Sequence, residues 1–181
     1  MNIINLTDKF IYNLIIKLLS TNMTLIMRFI SHLGSAITLI TLTIAFLLIL
    51  KNKRQSKLIA INLIFVFIIN RILKFIIARP RPQELSLVIE KGYSFPSGHS
   101  MISMAFYGFI IYLIYKNIKN KKIKYPLIIF LGITILLIGI SRIYLGVHYA
   151  TDIIGGFIIG FIYLAFFIKY IYNNRVLKKG F

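Results

Sequence analysis

His148 and Asp152 stand four residues apart, the separation at which two side chains share one face of a helix. A carboxylate placed there can accept from one imidazole nitrogen, fix the tautomer and leave the lone pair of the other nitrogen pointing outward. This is the orienting logic of nucleophile–base–acid triads, here with histidine itself as the nucleophile. Of the three histidines in the chain, a second, His99, closes the run Pro96-Ser97-Gly98-His99 and can act as an acid. Lys74, Arg81 and Arg142 supply cations for an oxyanion. A nucleophile, an acid and three cations suit hydrolysis of a phosphate ester.

The segments around these residues favour the same chemistry. Pro96 to His99 reads as a helix start, where proline is pre-organised and its missing N–H costs nothing. The backbone N–H groups that follow are unpaired and, with the positive end of the helix dipole, form an anion site. Gly98 allows a phosphate close to the backbone, and Ser97 adds a hydroxyl donor. Arg79-Pro80-Arg81-Pro82 cannot continue a helix, so the chain turns out with Lys74, Arg79 and Arg81 near one another. Taken alone, those cations could equally be snorkelling to an interface. Arg71, one turn before Lys74, can face the same pocket or a lipid headgroup. The acids are Asp8, Glu84, Glu90 and Asp152, too few and too scattered for a two-metal centre. The expectation is therefore no metal and no cofactor.

The elements that must position these groups are helices in a membrane. The 181 residues are 59% hydrophobic with mean hydropathy +0.85, so an all-α, polytopic helix bundle is expected. Five apolar segments, Gly34–Leu50, Lys57–Ile77, Gly98–Tyr115, Tyr125–Ile140 and Tyr149–Tyr172, approach the ~20 residues that cross ~30 Å of hydrocarbon. Lipid offers no partners for backbone polar groups, so these segments must be helical. The first 33 residues read as an amphipathic helix lying in the interface, bent near Asn22, with a sixth span as the alternative. No cleavable signal peptide is evident. One membrane-embedded domain is expected over residues 1–181: an interfacial helix (1–33), a transmembrane core (34–172) and a basic tail (173–181).

Charge gives the orientation. The net charge of +18 could suggest nucleic acid, but the cations sit in short loops between apolar runs, where topology and anionic headgroups explain them better. Lys51 to Lys57, Lys116 to Lys124 and Arg175 to Lys179 fall on one side, which the positive-inside rule makes cytoplasmic. The loops 78–96 and 141–148, which hold the candidate residues, then share the other side. Gly156 and Gly160 make a small-xxx-small face for close helix packing. The sequence has no cysteine, so it holds no disulfide or thiolate site. The wealth of Ile, Lys and Asn suggests a low-GC bacterial source. No oligomeric state can be read.

Three spaced motifs resemble the type 2 phosphatidic acid phosphatase (PAP2) superfamily, which also includes vanadium haloperoxidases. Lys74 with Arg81-Pro82 matches its Lys-x6-Arg-Pro. Pro96 to His99 matches its Pro-Ser-Gly-His. Ser141-Arg142, His148 and Asp152 match its Ser-Arg-x5-His-x3-Asp, and no motif position departs. The resemblance implies that His148 attacks phosphorus to give a phosphohistidine, that His99 protonates the leaving oxygen and that Asp152 supports His148. It implies that Lys74, Arg81, Ser97, the Gly98 amide and Arg142 hold the phosphoryl oxygens. The implied substrate is a membrane lipid phosphate: undecaprenyl diphosphate, phosphatidylglycerophosphate or phosphatidic acid. The diphosphate or phosphatidylglycerophosphate kind is preferred, at the outer face of a bacterial plasma membrane. A haloperoxidase is disfavoured by the many spans. A non-catalytic lipid-phosphate binder or transporter would not need His148 and Asp152 together.

Overall fold

Seven helices, and no strand among the described residues, make up the computed structural model, which describes residues 3–82 and 86–172, with the backbone alone for 3–6. The basic tail expected at 173–181 lies outside the described residues, as do Gln83, Glu84 and Leu85. The helices are α1 (Ile3–Ile16), α2 (Thr21–Leu33), α3 (Ala36–Ile49), α4 (Lys53–Ile77), α5 (Gly98–Asn117), α6 (Lys121–Tyr144) and α7 (Ala150–Phe166). A π-helical stretch, Phe167–Tyr172, continues α7.

Four of these, α4, α5, α6 and α7 with its extension, are long and apolar enough to cross a membrane. The expected span at 34–50 differs in detail. Helix α3 has 14 residues, about 21 Å at 1.5 Å per residue, too short alone. It follows α2 at a 46° bend, and the pair passes the same length and apolarity test as one broken span. The first 33 residues, read as one bent interfacial helix, form two helices over the described part, α1 and α2. The break falls before Asn22, where the Ser20 side chain caps α2 by accepting from the Met23 amide. Helix α2 is not surface-bound along its length: Met23 and Met27 pack on Tyr144, Leu145 and Val147.

Capping explains the other boundaries. Ser35 accepts from the Thr38 amide to start α3, and Asn52 accepts from the Gln55 amide to start α4. Helix α4 stops where Ala78 takes a left-handed φ of 48°, immediately ahead of the proline pairs, so Lys74 occupies its last turn. At the far end of the bundle Arg54 donates to the Tyr172 carbonyl, and Gln55 and Asn117 exchange amide bonds.

Helix α5 is the axis. Met101, Ala105, Phe106 and Phe109 on it are fully buried, and α4, α6 and α7 surround it. Outward-facing Ile37 and Phe75 are 80% exposed, which suits lipid as the neighbour. Glycines set the closest approaches. A Cβ on Gly160 would lie 2.6 Å from the Met101 carbonyl oxygen, and one on Gly156 would lie 3.0 Å from that of Ser97. These two contacts press the middle of α7 onto the first turn of α5, and at the start of both helices the Ser97 amide donates to the Asp152 carbonyl at 3.1 Å.

Gly160→Leu should force α5 and α7 apart and destabilise the protein by about 1–3 kcal/mol, the usual cost of overpacking. A Cβ on Gly132 would point into open space, with no neighbouring atom within 4 Å, and Gly132→Leu should leave stability unchanged. Thermal unfolding of both variants in detergent measures the difference.

Candidate active site

The ends of α4, α5, α6 and α7 meet at one end of the bundle, and each carries a chemically active side chain. Lys74 comes from the last turn of α4 and Arg142 from the last turn of α6. Helix α6 continues four residues beyond Ile140, the expected end of that span, so Ser141 and Arg142 are helical. His99 is the second residue of α5. Arg81 follows the proline break.

A cavity of about 360 Å³ is lined by Lys74, Arg81, Gly98, His99 and His148, together with Arg71 and Glu90. The fold therefore brings five of the eight candidate residues to one space. The other three stand behind it. Ser97 is fully buried and caps α5, accepting from the amide and hydroxyl of Ser100. Pro96 lies before this cap and not inside the first turn, which begins at Gly98. The Ser97 hydroxyl still has its own proton to donate. Asp152 is fully buried beneath His148. Arg142, 4% exposed, donates to Ser31 Oγ at 2.6 Å and to Glu90.

His148 and Asp152 meet, though not as two residues on one helix face. His148 precedes Tyr149, the N-cap of α7, and Asp152 occupies the first turn. Asp152 Oδ2 accepts from the Tyr149 amide at 2.9 Å and faces His148 Nδ1 at 3.4 Å. The carboxylate closes the helix start and reaches the imidazole in the same gesture. His148 Nε2 points the other way, 3.3 Å from Arg81 Nη1. Burial is the main cause that brings the His148 pKa down to about 4. The hydrogen bond with Asp152 pulls it up, and the charges of Arg81, Lys74 and Arg142 push it down. The imidazole is consequently neutral at neutral pH.

Loop carbonyls and acids hold the cations in place. Lys74 donates to the carbonyls of Tyr93 and Ser94, and Arg81 to those of Gly92, Lys91 and Val147. Glu90 lies 2.5 Å from Arg142 and 3.7 Å from Arg81. The acids are scattered along the chain but not in the fold. Asp8, Glu90 and Asp152, the three among the described residues, all stand at this site, each against a guanidinium. Sequence reasoning gave no role to Glu90, Ser31 or Asp8 and left Arg79 as a nearby cation. The bonds of Asp8 to Arg79, Ser31 to Arg142 and Glu90 to Arg142 span 71, 111 and 52 positions, and no local pattern announces them.

Helix ends pool cations and imidazoles around one cavity at the end of an apolar bundle, the arrangement of a membrane protein. The chain belongs to the PAP2 superfamily, whose model matches residues 56–176. It is 44% identical to phosphatidylglycerophosphatase B of Bacillus subtilis over 106 residues, 56% of this chain and 50% of that protein. It is 30% identical to undecaprenyl-diphosphatase of Sulfolobus acidocaldarius over 142 residues, 75% of this chain and 64% of the other. The chain thus spans half to two-thirds of these curated relatives. The crystal structure of a transmembrane PAP2-type phosphatidylglycerolphosphate phosphatase from Bacillus subtilis superposes with a TM-score of 0.86 at 30% identity, covering 97% of this chain and 90% of that one. Aquifex aeolicus LpxE shares the fold, with a TM-score of 0.72 at 24% identity over 88% and 93% of the chains. With its apolar helices, the chain is an integral membrane protein.

NMR of protein labelled with 15N-histidine, with His148 assigned by its loss in His148→Ala, should show that imidazole titrating near pH 4. Asp152→Asn should lower the value further, because it replaces a charge-assisted bond that favours the imidazolium with a neutral amide. A titration near 6.5 in the wild type would contradict the burial described here.

Proposed function

We propose that this chain hydrolyses the phosphate ester or diphosphate of a membrane lipid through a phosphohistidine, without a metal. The observation that carries the proposal is the pairing at His148: Nδ1 faces Asp152 while Nε2 faces Arg81 and the cavity. With the proton on Nδ1, the Nε2 lone pair attacks phosphorus, and the bond to the lipid oxygen breaks. His99, lining the same cavity, gives a proton to that oxygen. It then takes one from the water that cleaves the phosphohistidine, so the enzyme returns to its starting state.

Lys74, Arg81 and Arg142, with Ser97 and the Gly98 amide, hold the phosphoryl oxygens. Phosphoryl transfer depends chiefly on positioning and charge stabilisation, and fixed cations meet both needs. The incoming phosphate takes Arg142 and Arg81 from Glu90. The Nε of Arg142, buried without a partner among the described residues, adds donor capacity.

The lipid tail stays in the bilayer while the headgroup enters. The names of the relatives favour phosphatidylglycerophosphate or undecaprenyl diphosphate over phosphatidic acid. Arg71 supports that preference: it lines the cavity one turn from Lys74, and a second phosphate on the substrate would meet it. The basic loops at the far end of the bundle support an extracytoplasmic site.

Purified protein assayed against a panel of lipid phosphates should release phosphate with EDTA present. His148→Ala should abolish turnover, and Arg142→Ala should cost about 10²–10³ in rate. Acid quenching of wild type with labelled substrate should trap an acid-labile phosphohistidine. A labelled adduct surviving in His148→Ala would reassign the nucleophile, and strict Mg²⁺ dependence would overturn the metal-free chemistry.

A further inference from the structure

Arg79 falls among the unspecified positions between Lys74 and Arg81, yet its side chain is held by several partners. Nη1 donates to Asp152 Oδ1 at 2.6 Å and to Thr151 Oγ1 at 2.8 Å. Nη2 donates to Asp8 Oδ2 at 2.8 Å. The guanidinium carbon stands 4.1 Å from the centre of the Tyr149 ring. Asp8, in α1, also accepts from the Thr151 amide at 3.0 Å and hydroxyl at 2.8 Å. Its side chain is 6% exposed and that of Asp152 is fully buried. Helix α1 is thereby tied to the first turn of α7, next to the carboxylate that holds His148.

The carboxylate of Asp152 is divided. Oδ1 belongs to Arg79 at 2.6 Å, while Oδ2 serves the Tyr149 amide and His148 at 3.4 Å. A guanidinium with no other acid would draw Asp152 toward itself and away from the imidazole. Asp8 answers that pull by sharing the guanidinium between two carboxylates. Such partly buried, charge-assisted bonds are stronger than neutral ones.

We propose that Asp8 and Arg79 are a positioning pair that aims Asp152 at His148, so that α1, which lies before the residues matched by the family model, is part of the catalytic apparatus. The kinetic part of this role presupposes the phosphohistidine chemistry proposed above, whereas its electrostatic part does not. Neither residue touches the reacting atoms. The groups facing His148 are Asp152 on α7, Lys74 on α4, Arg81 after it, Glu90 in the following loop, His99 on α5 and Arg142 on α6, with Arg79 and with Asp8, Lys9 and Tyr12 of α1 across a second cavity of about 660 Å³. Removing the charge of Asp8 therefore leaves a net gain of positive potential at the imidazole.

Two measurements on the 181-residue chain in detergent separate the roles. Asp8→Asn should lower kcat by about 10–100-fold with KM nearly unchanged, the range seen when a group that orients a functional ligand is removed. Asp8→Glu should recover part of the loss. The His148 NMR titration, which needs no turnover, should move to lower pH in Asp8→Asn. Thr151→Val, which keeps both charges, is the second variant should Asp8→Asn not fold; it should lower kcat severalfold at constant KM. An unmoved titration together with unchanged kcat in the variant that folds would overturn the pairing. A shifted titration in a protein whose wild type cleaves no lipid phosphate would instead retain the pairing and sink the hydrolase.

Discussion

Positive charge packed into the end of an apolar bundle must be neutralised, and the rest of the site follows from how this is done. The chain carries 22 basic residues and four acidic ones. Three of those acids stand at this end of the molecule. Burying an ion without a counter-ion is costly, and each carboxylate answers a specific guanidinium. Asp8 and Asp152 share Arg79, while Glu90 lies between Arg142 and Arg81. Asp152 serves the imidazole as well. One set of ion pairs therefore holds the carboxylate that faces His148, and the other lines the cavity beside it.

The scaffold contributes closeness. Gly156 and Gly160 let α7 lie on the backbone of α5, which brings Asp152 against the start of α5 and places His99 and His148 on one cavity. Gly34, at the bend between α2 and α3, does the same from the other side. A Cβ there would lie 3.2 Å from the His99 ring and 2.6 Å from Ile138. The bend between α2 and α3 is thus the part of the pair that seats against the His99 ring.

Much of this was legible in the sequence because it depends on local rules. Apolar runs of the right length gave α4 to α7, and the proline pairs ended α4 where Lys74 could face outward. The long runs did not show that α3 is joined to α2 across a bend, because a Gly-Ser break separates them. The spacing of His148 and Asp152 pointed to the right pair for an incomplete reason: an N-terminal cap joins them, not a shared helix face. The contacts of Asp8, Ser31, Arg79 and Glu90 left no signal in the sequence. Apart from Glu90 with Arg81, these contacts are made across more than 50 positions, and single acids or serines in loops and helices have no period to betray them.

The central claim is that the ends of separate helices converge on one oxyanion. A crystal structure of the protein soaked with orthovanadate tests it most directly. The account predicts vanadium bonded to His148 Nε2, its oxygens held by Lys74, Arg81 and Arg142, and the Glu90 carboxylate displaced from Arg142. Vanadate bound away from His148, with Glu90 still seated on Arg142, would contradict it.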